Sequence, residues 1–213
     1  AFTTAGGTTV NYVAFWNGSV YGTYGGTSCN NYVYKIFYDS GLNLLYIAGA
    51  FNACPDGVTA YRIAKYDGTN WVAIGEGFNN TVYDFLVNDN GTMYACGNFT
   101  QLGSIATSVS RVAYFNGVTW TQVGDGFQTQ PMYCLLSGAD GNLYCGGGSG
   151  LSGSVTIKYM AMWSGAAWVP IDTFLPASSS VVRRMLMNAG LDLFVAGEFN
   201  GGSYTYSSKA YDI

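Results

Sequence analysis

The chain has 213 residues, 49% of them hydrophobic and only 9% charged, with a formal net charge of −4 and no histidine. It is long and apolar enough to bury a core, while its basic residues are scattered and give no footprint for a phosphate backbone. The missing imidazole excludes Ser-His-Asp, Cys-His and histidine-metal chemistry within this segment, and no apolar run approaches the ~18 residues of a membrane-spanning helix.

The predicted elements repeat along the chain. Residues 1–28 form a partial unit with an aromatic-polar-Gly turn at Trp16-Asn17-Gly18 and a strand starting at Tyr21. The first complete unit, 29–78, opens with an alternating run Val33–Tyr38, turns at Asp39-Ser40-Gly41, and continues as Leu45–Phe51. After a longer connection over 52–60 come Arg62–Gly68 and a strand from Trp71. Unit 79–127 repeats this with Val82–Val87, Asp89-Asn90-Gly91, Met93–Phe99, Phe115-Asn116-Gly117 and Trp120. Unit 128–174 has Met132–Leu136, Asp140-Gly141, Trp163-Ser164-Gly165 and Trp168. Thr173–Ser180 is predicted as a loop, and the partial unit 175–213 holds Val182–Met187, Leu193–Phe199 and Tyr211-Asp212.

The aromatic of the turn steps by 50, 49, 48 and 48 residues, from Trp16 to Tyr66, Phe115, Trp163 and Tyr211. Alternating runs joined by Asp-Gly or Asn-Gly are hairpin signals, because the central residues of such turns take positive φ. No stretch carries a helical period. The prediction is an all-β chain of four-stranded antiparallel blades, each about 48–50 residues, arranged as one β-propeller domain over 1–213 rather than a solenoid. Four to five blades are visible. Because the chain opens inside one repeat and stops inside another, it is expected to be part of a longer protein, with the blade number of the ring left open.

The runs Leu45-Tyr-Ile-Ala-Gly-Ala-Phe51, Arg62-Ile-Ala-Lys-Tyr-Asp-Gly-Thr-Asn-Trp71 and Ile74-Gly-Glu-Gly-Phe78 resemble kelch-like propeller repeats of bacterial surface proteins and large DNA viruses. The resemblance covers essentially the whole chain. It departs from kelch in a shorter spacing from Tyr66 to Trp71 and in Ser149 where the second strand otherwise ends in Phe. It implies a scaffold and says little about a ligand.

The recurrent aromatics are expected in the packing between blades. The long second-to-third connections share one face, and a site is expected there. Tyr61, Tyr159, Tyr204 and Tyr206 lie near those loops and outside the core register, which makes them the candidate platform for a ligand. Glu76 and Asp125 recur in Gly-acid-Gly-Phe links and are candidates for an acidic rim; no Asp-x-Asp-x-Asp-Gly loop accompanies them, so no metal or cofactor is expected. The cysteines number five, an odd count. Cys29 and Cys54 are the candidate disulfide, whereas Cys96, Cys134 and Cys145 are expected as buried thiols, the last two placed two positions out of register about their hairpin turn. Asn17, Asn79, Asn90 and Asn98 begin glycosylation sequons.

The expected function is a non-enzymatic scaffold or interaction module of a virion or cell-surface structural assembly, contacting neighbouring structural proteins through the long-loop face. The alternative is a lectin-like module whose partner is a glycan. A glycoside hydrolase is disfavoured, and neither nucleic acid nor membrane insertion is expected.

Overall fold

The computed structural model describes residues 2–23, 29–54, 57–103, 105, 107–171 and 181–199. All regular elements among them are strands. A small hairpin, β1 (Thr4–Ala5) and β2 (Thr8–Thr9), precedes a second pair, β3 (Phe15–Trp16) and β4 (Tyr21–Gly22). The first complete sheet runs β5 (Val33–Asp39), β6 (Leu44–Gly49), β7 (Ile63–Tyr66), β8 (Trp71–Ala73) in that spatial order, each strand antiparallel to the next. The second sheet has β9 (Val82–Val87), β10 (Met93–Gly97), β11 (Val112–Phe115) and β12 (Trp120–Gln122), again side by side in chain order. The third begins with β13 (Met132–Ser137) and β14 (Leu143–Gly147). A separate hairpin, β15 (Gly150–Ser152) and β16 (Val155–Ile157), then intervenes, and β17 (Met160–Trp163) and β18 (Trp168–Pro170) complete the sheet. The last pair is β19 (Val181–Met187) and β20 (Leu193–Glu198). The predicted loop Thr173–Ser180, the third strand of the last unit, and Tyr211-Asp212 lie outside the described residues.

The connections between second and third strands, expected as plain loops, are hairpins in miniature. Besides β15–β16, single antiparallel bridges join Ala53 to Thr59 and Gln101 to Ser108. The tight turns also differ from the expectation of two consecutive positive-φ residues. In Asp89-Asn90-Gly91 only Gly91 is left-handed, at φ 78°, with its N–H on the Asn88 carbonyl at 2.9 Å. This is a three-residue connection closed by a left-handed glycine, which needs one such position rather than two.

The small-residue pair ending each second strand has a mechanical cause. The register slips between Val33 and Lys35, Met132 and Cys134, and Val182 and Arg184, a bulge near the start of the first strand. The bulged backbone leans on the partner strand, where a Cβ at Gly49 would stand 2.0 Å from the Tyr32 carbonyl oxygen, and one at Gly197 2.0 Å from that of Val181. Only glycine fits.

The chain condenses into two compact units. The first takes residues up to Tyr83 with Phe99–Ser108 and Val118–Trp120, and the second takes Asp84–Asn98, Val109–Gly117 and the chain from Thr121 onward. In the first unit Ile47, Phe51, Ala60, Ala64 and Trp71 form a buried cluster, and Phe78 stacks on Phe99 at 4.0 Å with Trp120 4.8 Å away. In the second, sheet packs on sheet: Cys96 and Val112 meet Leu135, Cys145 and Trp168 in one cluster. The recurrent tryptophans also satisfy their indole N–H groups within these cores, Trp120 on the Ile74 carbonyl at 2.8 Å and Trp168 on that of Val123 at 3.0 Å.

Candidate functional site

The second unit carries a cleft of about 430 Å³, within the range of small-ligand sites. It is built where tight turns of neighbouring sheets converge. Asn88 and Tyr94 come from the β9–β10 hairpin, Ser137 and Asn142 from the β13–β14 hairpin, and Trp163 and Ser164 from the turn between β17 and β18. Each lies at a strand end because the turn chemistry puts it there: the Ser164 hydroxyl accepts the Ala167 N–H at 3.1 Å and so tightens its turn. Every lining side chain is uncharged. Aromatic faces beside amides and hydroxyls can stack on an apolar ring face and exchange hydrogen bonds with neutral polar groups.

The rim is fixed by Asp140. Its carboxylate accepts the Asn142 N–H at 3.1 Å, the Asn142 amide at 3.0 Å and the Tyr144 hydroxyl at 2.5 Å. Burial alone would raise this carboxyl, but the hydrogen bonds from Tyr144 and Asn142 outweigh it and hold it below the usual value. Tyr144 responds in the opposite sense, pushed up to about 12 by burial and then by the Asp140 charge.

The cleft sits at the tight-turn end of its sheets, opposite the long-connection end where the sequence placed a site, and it uses none of the sequence-predicted residues. Tyr159 is 3% exposed and packs with Cys134, Met160, Val182 and Leu193. It is a core residue, because it follows the β15–β16 hairpin inward rather than standing on a loop. Tyr61 is half-buried, its Cβ against the backbone of Gly77 and Gly103 and its carbonyl on the Phe78 N–H at 2.9 Å. Tyr204 and Tyr206 lie outside the described residues. Glu76 and Asp125 do not form a matched rim: Glu76 is half-buried and accepts the Thr119 hydroxyl at 3.0 Å, whereas Asp125 is exposed.

Cys29 and Cys54 are both buried in the core of the first unit, thiol hydrogen-bonded to thiol and unbonded covalently. Cys96, Cys134 and Cys145 are also buried thiols. Cys134 pairs with Gly146 and Cys145 with Leu135, so the two are one position out of register rather than two and face opposite sides of the sheet.

Two recurrent residues escaped the sequence reading. Arg62 and Arg111 each take a left-handed backbone, at φ 74° and 69°. Arg62 donates to the carbonyls of Ala50 and Asn79, and Arg111 to the Asn98 carbonyl at 2.6 Å, its side-chain oxygen at 2.8 Å and the Thr129 carbonyl at 3.4 Å. These arginines are clamps between a second strand and the next unit's opening segment; their equal spacing from the aromatic turn was the available signal. The bulges also aim Tyr34, Tyr133 and Arg183 out of register. Tyr34 meets Tyr83 edge-on at 5.3 Å in the first unit, and the Arg183 guanidinium lies 4.0 Å from the Tyr133 ring centre in the second.

The first sheet bares apolar surface. Ile36 is 52% exposed, while its repeat equivalents Phe85 and Leu135 are 1% and 5% exposed. Phe37, Tyr38, Tyr34 and Leu42 are exposed beside it.

No family model matches the chain, and no curated protein matches it. Among solved structures it is similar to the extracellular domain of a putative hybrid two-component system from B. thetaiotaomicron, at 14% identity and a TM-score of 0.44, over 92% of this chain and 32% of that one. The chain thus spans about a third of that domain's length.

Proposed function

We propose that the chain is a run of kelch-like β-propeller blades serving as a non-enzymatic scaffold, an interaction module of a virion or cell-surface assembly. The observation that carries this is the exposed apolar side chains of Ile36, Phe37 and Tyr38, of which Ile36 holds a position that is buried in the next two repeats. Exposed apolar side chains on both sides of one strand, Ile36 and Tyr38 on one and Phe37 on the other, suit packing against a partner. The sparse charge of the chain suits such a surface.

Cross-linking mass spectrometry on native source material tests the scaffold. Stoichiometric links from Lys35 and Lys65, which lie on the first sheet, to a shell or surface protein are the expected result; links confined to this polypeptide overturn it. The cleft favours a second reading, a lectin-like module for neutral glycans. Binding on a glycan array that disappears in Trp163→Ala would move the function to that reading, and a blank array would remove it.

A further inference from the structure

Three repeats place a pair of inward residues at one register position, and in the first repeat both are cysteine. In the second repeat the pair is Phe78 and Leu102, joined as an antiparallel bridge. The flanking bonds run from the Asn79 N–H to the Gln101 carbonyl at 3.0 Å and from the Gly103 N–H to the Gly77 carbonyl at 2.9 Å. Bonds on both sides and none between define a non-hydrogen-bonded pair, whose Cα atoms stand about 4.5 Å apart with the side chains at their closest.

The first repeat keeps one flank of this arrangement, since Pro55 after Cys54 has no N–H to make the other. The Asn30 N–H reaches the Ala53 carbonyl at 3.3 Å, as Asn79 does Gln101. The Asn30 side-chain oxygen accepts the N–H groups of Asn52 and Ala53 at 3.0 and 3.2 Å, as that of Asn79 accepts those of Thr100 and Gln101 at 3.0 and 3.2 Å. Cys29 therefore stands where Phe78 stands, and Cys54 where Leu102 stands. In the third repeat the Gln128 N–H on the Leu151 carbonyl, at 2.9 Å, sets Phe127 opposite Ser152 in the same way.

We infer that Cys29 and Cys54 are a built cross-strand disulfide site, oxidised by a disulfide of the glutathione or thiol-oxidoreductase class. A Cα separation near 4.5 Å lies inside the window of about 4.4–6.8 Å that a disulfide spans. The two thiols give up two electrons and two protons to the reagent disulfide, which leaves as two thiols, and one S–S bond forms in the protein. None of the other cysteines faces a cysteine across a strand ladder. Cys96 and Cys145 meet in the core where two sheets pack, on strands that no ladder joins, and Cys134 and Cys145 face opposite sides of one sheet. Within the folded core the Cys54 thiol is pushed up by its hydrogen bond with Cys29 and by burial, which leaves little thiolate to attack a disulfide. The bond thus forms as the chain folds.

The test is refolding of the full chain in a glutathione redox buffer, followed by acid quenching, unfolding, alkylation and peptide mapping. The expected product is a Cys29–Cys54 linked peptide with Cys96, Cys134 and Cys145 alkylated, and a Tm about 5 °C or more above that of the reduced chain. The double variant Cys29→Phe/Cys54→Leu, which installs the pair of the next repeat, should fold and be indifferent to the redox buffer. Five alkylated cysteines, a link between any other two, or a stable glutathione adduct on Cys29 or Cys54 would overturn the assignment.

Discussion

Asp140 and Tyr144 illustrate how one side-chain hydrogen bond both shapes the cleft rim and sets a pH response. The Tyr144 hydroxyl is raised from 10.0 to about 12, so the folded chain holds its proton more tightly than the unfolded chain. Its contribution to stability is complete below pH 10 and is lost as pH rises from there through about 12. Asp140 is held below its ordinary value of 3.8, so its contribution is present above that value and is lost as pH falls through the depressed one. Tyr144→Phe removes the ionising group and the hydrogen bond together. Urea midpoints measured across pH should show both limbs shallower in the variant, with about 1 kcal/mol lost at neutral pH. A residual alkaline slope is expected, because Tyr46 and Tyr94 are also raised by burial. Limbs parallel to those of the parent chain would mean that the hydroxyl does not serve the carboxylate.

At the scale of the element, glycine separates two kinds of constraint. Gly91 has φ 78° with nothing within 4 Å of an added Cβ, so Gly91→Ala should cost only the left-handed penalty of about 1–2 kcal/mol. Gly77 has φ 61°, and its Cβ would lie 2.2 Å from the Tyr61 carbonyl oxygen. Gly77→Ala should therefore destabilise by at least twice as much, measured by chemical denaturation of both variants; equal losses would show that the link between repeats yields freely. The same contrast explains what the sequence disclosed. Strand periods and aromatic-polar-Gly turns are local, and β5, β6, β9, β10, β13, β19 and β20 fall close to their predicted runs. The inward turn of Tyr159 depends on how the β15–β16 hairpin folds, and the clamps of Arg62 and Arg111 depend on carbonyls 12 to 18 residues away. No short window carries that information. The cleft was hidden for the same reason, since Tyr94, Asn142 and Trp163 meet only when hairpins of successive sheets converge.

For the molecule as a whole, repetition converts each sheet into a control for the others. Ile36 and Leu135 hold the same place in their repeats, yet one is 52% exposed and the other 5%. If the bare face around Ile36 awaits a partner, a charge placed there should be tolerated by the isolated chain. Ile36→Lys is expected to change stability by no more than about 0.5 kcal/mol, the range of surface substitutions. Leu135→Lys buries an ammonium in the cluster of Cys96 and Val112 and should destabilise the fold far more. Denaturation curves give the first comparison, and sedimentation velocity gives the second, because Ile36→Lys should also suppress any concentration-dependent association through that face. A collapse of Ile36→Lys comparable with that of Leu135→Lys would mean that the position is already covered within the chain, and the scaffold would lose its contact surface.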